Sequence, residues 1–295
     1  MWFSPPPEVS AKVWTRMPAG LRRQVSNDWT RANFPGGSAE CFLEGPCFDE
    51  AGRLHLVNIP HGEVIAVEAD RWDLVVAYDG LPNGMKFLGG SEFMIADHKR
   101  GLVRLDAAAG RVEDVLTGLY SEPFKGLNDL TLHEDGSILF TDQGQTGLHD
   151  PTGRVFRRTP EGRIDRLLSN APSPNGLVLD RAQRMLFVAM TRSCEIWMFA
   201  LKDGAEITKA QCFCRLPGGR TGPDGLTMDG FDRLYMCSPG HQCVWVVAPD
   251  GRPCLRILGP EGAVITNCAF APDGRTLFMT SAFGDVLVCE VPAPG

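Results

Sequence analysis

The sequence predicts an all-β protein: a six-bladed β-propeller with four antiparallel strands per blade, the last blade closed by an N-terminal strand. Three observations predict it. Six segments repeat one pattern, in which a polar anchor is followed by a short apolar strand, a Gly/Asp-rich turn and a second strand rich in Leu, Phe, Val and Met. The anchors lie 39, 45, 47, 49 and 43 residues apart, which is the period of a propeller blade. A second strand pair follows most of these hairpins, as in "GRVFRRTPEGRIDRLLSN" from Gly153 and "CVWVVAPDGRPCLRIL" from Cys243, bringing each repeat to four strands.

In chain order the repeats are "EGPCFDEAGRLHLVNI" from Glu44, "NGMKFLGGSEFMIADH" from Asn83 and "NDLTLHEDGSILFTDQ" from Asn128. Then come "NGLVLDRAQRMLFVAM" from Asn175, "DGLTMDGFDRLYMCSP" from Asp224 and "NCAFAPDGRTLFMTSA" from Asn267. The sixth repeat has room for three strands before Gly295, so a fourth must come from elsewhere. The stretch "SAECFLE", Ser38 to Glu44, is expected to supply it. Residues 1–36, with "SPPPE" and "FPGG", are expected to form an extension outside a 37–295 propeller, with no chemistry assigned.

The bulk numbers narrow the partners. A content of 43% apolar and 22% charged residues is that of a globular chain with a sizeable core. A formal charge of −7 and a pI near 5.4 argue against nucleic acid or an acidic membrane surface, both of which need a basic face. No run of 18 apolar residues is present, and "MWFSPPPEVS" lacks the pattern of a secretion signal, so a cytoplasmic location is expected. The ten cysteines include no C-x-x-C pair and read as buried, reduced thiols, with a zinc site at Cys212 and Cys214 as the alternative.

In a meandering blade the first strand is innermost, so the six anchors face one another at one mouth of the channel. Glu44, Asn83, Asn128, Asn175, Asp224 and Asn267 all bear side-chain oxygens, and two are carboxylates. Six to eight oxygens with two negative charges suit a hard divalent cation such as calcium. Asn and Asp before a strand are also ordinary turn residues. Glu44 is the anchor that this plainer reading does not explain. Asp129, beside Asn128, is expected to keep a turn role.

The segments "FLEGPCFDEAGRLHLVNIPHG", "FKGLNDLTLHEDGSILFTDQGQTGLHDPTGRVF", "SPNGLVLD" and "GPDGLTMD" resemble the senescence marker protein (regucalcin)/gluconolactonase/luciferin-regenerating-enzyme-like family, over residues 40–292. The resemblance implies a six-bladed propeller with one divalent cation in the channel, most often calcium, with zinc, manganese, magnesium or iron as substitutes in some members. It implies Glu44, Asn175 and Asp224 as ligands, with Asn128 as a fourth ligand or a substrate contact. Hydrolysis of sugar lactones, or in a related branch of organophosphorus esters, is the implied activity. An arginine that some relatives place two residues before the Asn128 position is Gly126 here, beside Lys125.

Lactone opening needs a polarised carbonyl, a water made nucleophilic and a stabilised oxyanion, and a divalent cation serves all three. Asp224 is the candidate general base. In an organophosphorus-ester hydrolase the same carboxylate could act as nucleophile. The loops between second and third strands return to the same mouth and offer substrate contacts: His61, His98, Lys125, Gln143, Gln145, His149, Arg192 and His241, with Asn83 and Asn267 as further pocket residues. A small lactone or ester is the expected partner. Two other readings compete: a non-catalytic, metal-stabilised binding propeller, and a metal-free enzyme of the strictosidine-synthase type.

Overall fold

The computed structural model describes residues 5–202 and 207–293. Its sheets form six blades of four antiparallel strands in a ring. Blade one comprises Leu43–Phe48, Leu54–Asn58, Glu63–Val67 and Trp72–Ala77. Blade two, Pro82–Gly89 to Arg111–Leu116, repeats the same meander, as do blade three, Leu127–Leu132 to Ile164–Ala171, and blade four, Pro174–Leu179 to Thr208–Arg215. In the far-end turns Gly52, Gly136 and Gly274 take positive φ, which a side chain there would resist.

The N-terminal residues close the ring, by a different route from the expected one. Glu8–Ser10 pairs in parallel with Pro253–Leu258, adding a fifth strand to blade five. Lys12–Arg16 pairs antiparallel with Asp285–Glu290 and is the fourth strand of blade six. The closing strand is therefore Lys12–Arg16 and not Ser38–Glu44, whose last residues begin the innermost strand of blade one. Alternation explains the choice: Val13 packs on the seam between blades five and six, and Trp14 meets Phe278 edge-on at 5.0 Å.

Six apolar clusters occupy the six seams between neighbouring blades. Leu127, Phe140 and Phe156 in one seam, and Tyr235, Ile265 and Leu287 in another, are wholly buried. Sheets packed face to face bury their apolar residues in the seams and leave the ring's axis to the polar anchors. Among the described residues no helix is long and apolar enough to cross a membrane. Six cysteines are buried, but Cys212 is exposed, against the expectation for that residue.

Candidate active site

At one mouth of the axis a cavity of about 230 Å³ is lined by Glu44, Asn83, Asn128, Asn175, Asp224 and Thr266. In several blades a bulge at the start of the innermost strand brings the anchor inward. In blade three Leu127 pairs with Asp142 and Leu130 with Phe140, so Asn128 and Asp129 leave the ladder; blades two and four shift register at the equivalent places, and in blade one Glu44 pairs with Val57 and the shift comes one residue later, before Cys47. Blade six skips Thr266, between Ile265 paired with Ser281 and Asn267 paired with Thr280. The sixth anchor is thus Thr266, and Asn267 stands one position on. The signal was in the sequence: Gly52, Gly136 and Gly274 each lie eight residues after Glu44, Asn128 and Thr266.

Glycine fills the position after the anchor in four blades, as Gly45, Gly84, Gly176 and Gly225, but Asp129 and Asn267 fill it in the other two. The exceptions occupy space that the glycines vacate. A Cβ on Gly84 would stand 2.2 Å from Asp129 Oδ1, and one on Gly225 would stand 2.2 Å from Asn267 Cγ. Asp129 is therefore a buried axial carboxylate, 2% exposed, and not a turn residue at the surface. Gly84→Ala is expected to lower stability by about 1–3 kcal/mol through overpacking against this carboxylate. Urea unfolding measures it, and a loss within error of zero would show that Asp129 moves aside.

Hydrogen bonds leave selected oxygens free. Glu44 Oε2 accepts from the Gly45 N–H at 2.9 Å and from Asn267 Nδ2 at 2.8 Å, so Oε1 remains uncommitted. Asn128 Nδ2 donates to Gln143 Oε1 at 3.1 Å, and Gln143 Nε2 donates to Ser173 Oγ at 3.1 Å. That chain fixes the Asn128 amide with its oxygen available. The Thr266 hydroxyl is already committed, donating to the Leu43 carbonyl at 2.7 Å, so it ties blade six to blade one.

Burial, reinforced by the charges of Asp224 and Asp129, holds the Glu44 carboxyl well above the ordinary carboxylate range. Burial also pushes Asp224 up to about 7, opposed by the Asn175 amide and the Arg192 charge. Asp129 is raised by burial too, with Lys86 the largest opposing influence. Among the described residues these three carboxylates feel Lys86 and Arg192 only at a distance and make no ion pair, an arrangement that is costly unless a cation compensates them. Among the described residues no three His, Cys, Asp or Glu side chains converge on one point, so four donors are reached only with the Asn128 and Asn175 amides. An all-oxygen set of two carboxylates and two amides fits a hard divalent cation.

A profile of the SMP-30/Gluconolactonase/LRE-like region matches residues 42–283. The chain belongs to this family. Among family relatives, a gluconolactonase of Zymomonas mobilis is 29% identical over 70% of this chain and 62% of its own length, so the match spans less than two thirds of that protein. Diisopropyl-fluorophosphatase of Loligo vulgaris is 24% identical over 80% of this chain and 84% of its own. Lactonase drp35 of Staphylococcus aureus is 26% identical over 81% and 78%. Two solved structures share the fold: a gluconolactonase of Xanthomonas campestris (TM-score 0.75, 23% identity, 97% of this chain and 99% of that one) and a calcium-binding regucalcin of Agrobacterium tumefaciens (TM-score 0.77, 20% identity, 98% and 96%).

Within the family fold the expected substrate contacts divide. Gln143, Gln145 and Arg192 line the cavity with the anchors. His61, His98 and Lys125 line a separate depression of about 630 Å³, which meets the cavity only at Trp29 and Gln145. His98 fills the space beside Gly126, where a Cβ would lie 2.3 Å from its ring, and burial lowers its pKa. Lys125 Nζ is held by the Thr152 hydroxyl at 2.6 Å. His241 shares a hydrogen bond of 2.8 Å with Ser238, and neither it nor His149 lines the cavity.

Sequence reasoning missed one side of the cavity. The helix Asp28–Asn33 sets Trp29 and Asn33 over the mouth, joined by Phe34 and Phe42. Its start is a capping box: Asn27 Oδ1 accepts from the Thr30 N–H at 3.0 Å, and Thr30 Oγ1 accepts from the Asn27 N–H at 2.8 Å. The N-x-x-T pattern of "SNDWT" was the available signal. Asn27 Nδ2 then docks the helix on the Pro60 carbonyl at 3.0 Å.

Proposed function

We propose that the chain is a divalent-cation-dependent hydrolase that opens a small lactone ring. The observation that carries this reading is the axial set of Glu44, Asn128, Asn175 and Asp224, oxygen donors around a cavity sized for one small ring. These four residues would hold the cation, and calcium suits their chemistry. The relatives named gluconolactonase and lactonase support the substrate class. The bound cation supplies electrophilic polarisation of the carbonyl and counter-charge for the developing oxyanion.

The protein's own groups do the rest. Asp224 is half-buried, the most open of the three axial carboxylates, and its raised proton affinity suits acceptance of a proton from the attacking water near neutral pH. Water adds to the carbonyl carbon, the ring C–O bond breaks, and the proton held by Asp224 passes to the leaving alkoxide. Glu44 is poorly suited to this task, because one oxygen is already pinned by Gly45 and Asn267. A phosphotriester reading, with Asp224 as nucleophile, is favoured only by the relative named diisopropyl-fluorophosphatase.

Chelation tests the reading directly. Treatment with a chelator is expected to abolish lactone turnover, measured by pH-stat, and calcium to restore it; full turnover in the chelated protein would sink the proposal. The raised carboxyls add a pH signature. A carboxyl whose folded pKa exceeds its unfolded value binds protons more tightly when folded, so the metal-free protein loses stability as pH rises from about 4 towards about 7. A cation competes with those protons. The calcium-induced rise in melting temperature is therefore expected to be larger at about pH 8 than at about pH 5, and equal rises would contradict these sites.

A further inference from the structure

The cavity has two chemically unlike sides. On one, Trp29, Phe34, Phe42 and Ile59 form an apolar wall. The Trp29 and Phe42 rings meet edge-on at 5.2 Å, and Phe34 lies 5.8 Å from each. The capping box and the Asn27 bond to Pro60 hold this wall in place before any ligand arrives. On the other side stand Gln143, Thr146, Ser173 and Arg192.

Among the described residues Arg192 is the one cationic side chain lining the cavity; its charge acts on Asp224 across the cavity without a direct ion pair between them. It sits on the short turn Thr191–Ser193, which Thr191 fastens by donating its hydroxyl to the Pro223 carbonyl at 2.8 Å, next to Asp224. A guanidinium presents a fork of donors matched to a carboxylate. A lactone bearing hydroxyls on every carbon would leave the aromatic wall facing polar groups, and a plain alkyl lactone would leave the fork unanswered.

We propose that the cavity selects a small lactone carrying both an aromatic or other flat apolar substituent and a carboxylate, the substituent against Trp29 and Phe34 and the carboxylate on Arg192. This names the substrate class of the hydrolase reading above and rests on it for the reaction.

Isothermal titration of the calcium-loaded protein with phenyl γ-butyrolactam and with its ring carboxylate, both resistant to opening, tests the selection without turnover. The carboxylated lactam is expected to bind about tenfold tighter or more. Arg192→Glu, at an exposed position, should erase or invert that ratio, and Trp29→Leu should weaken both ligands about threefold or more. Equal affinities in the wild type, or a preference that survives Arg192→Glu, would overturn the proposal, as would failure of both lactams to bind. The preference without turnover of either parent lactone would support this selectivity and overturn the hydrolase reading instead.

Discussion

Asp224→Asn is expected to lower kcat for lactone opening by about a thousandfold, because general-base catalysis contributes roughly 10²–10⁴ and the amide cannot accept the proton. The fold should survive, since Asn keeps the shape of the side chain and removes a charge that burial penalises. The metal-free variant should melt at or above the wild-type temperature, while the calcium-induced rise shrinks with the loss of one anionic ligand. Steady-state kinetics and scanning fluorimetry read these effects separately. A variant retaining wild-type kcat would remove Asp224 from the chemistry, and one that failed to fold would contradict the compensation argument.

Deletion of residues 1–17 is expected to unfold the propeller or leave it aggregation-prone. The deletion strips Lys12–Arg16 from Asp285–Glu290 and Glu8–Ser10 from Pro253–Leu258, exposing two sheet edges. It also removes the buried side chains of Ala11 and Met17, the packing of Trp14 on Phe278, and the bond from Trp72 Nε1 to the Thr15 hydroxyl at 3.2 Å. At about 1.5–3 kcal/mol for each large side chain, with the lost ladder bonds added, the cost is on the order of 5–10 kcal/mol. That rivals the whole stability of a typical domain, about 5–15 kcal/mol. Soluble yield and circular dichroism melting compare the truncated and full chains; matching midpoints would refute the closure role.

Much of the fold was legible because a propeller writes its pattern six times. The anchors Glu44, Asn83, Asn128, Asn175 and Asp224 were recoverable from repetition alone, and all five line the cavity. What failed is what occurs once. Thr266 was displaced by one position because Asn267 looks more like an anchor than threonine does, although the distance to Gly274 marked the true register. Asp129 was assigned to a turn because local sequence cannot report a bulge that turns two successive residues inward. The closing strand and the aromatic wall depend on tertiary contacts: Lys12–Arg16 finds its partner more than 260 residues away, and the wall is held by the docking of Asn27 on Pro60 in blade one.

The two short strands Glu8–Ser10 and Lys12–Arg16 lie one residue apart in the chain yet belong to different blades. They act as a latch between the final two wedges of the ring, and this latch imposes an order on synthesis. The segment Lys12–Arg16 leaves the ribosome long before its partner and must wait, unpaired, until the residues around Asp285–Glu290 emerge. Closure is therefore a late event of high contact order, and the waiting strands are the part of the nascent chain most in need of protection from premature partners.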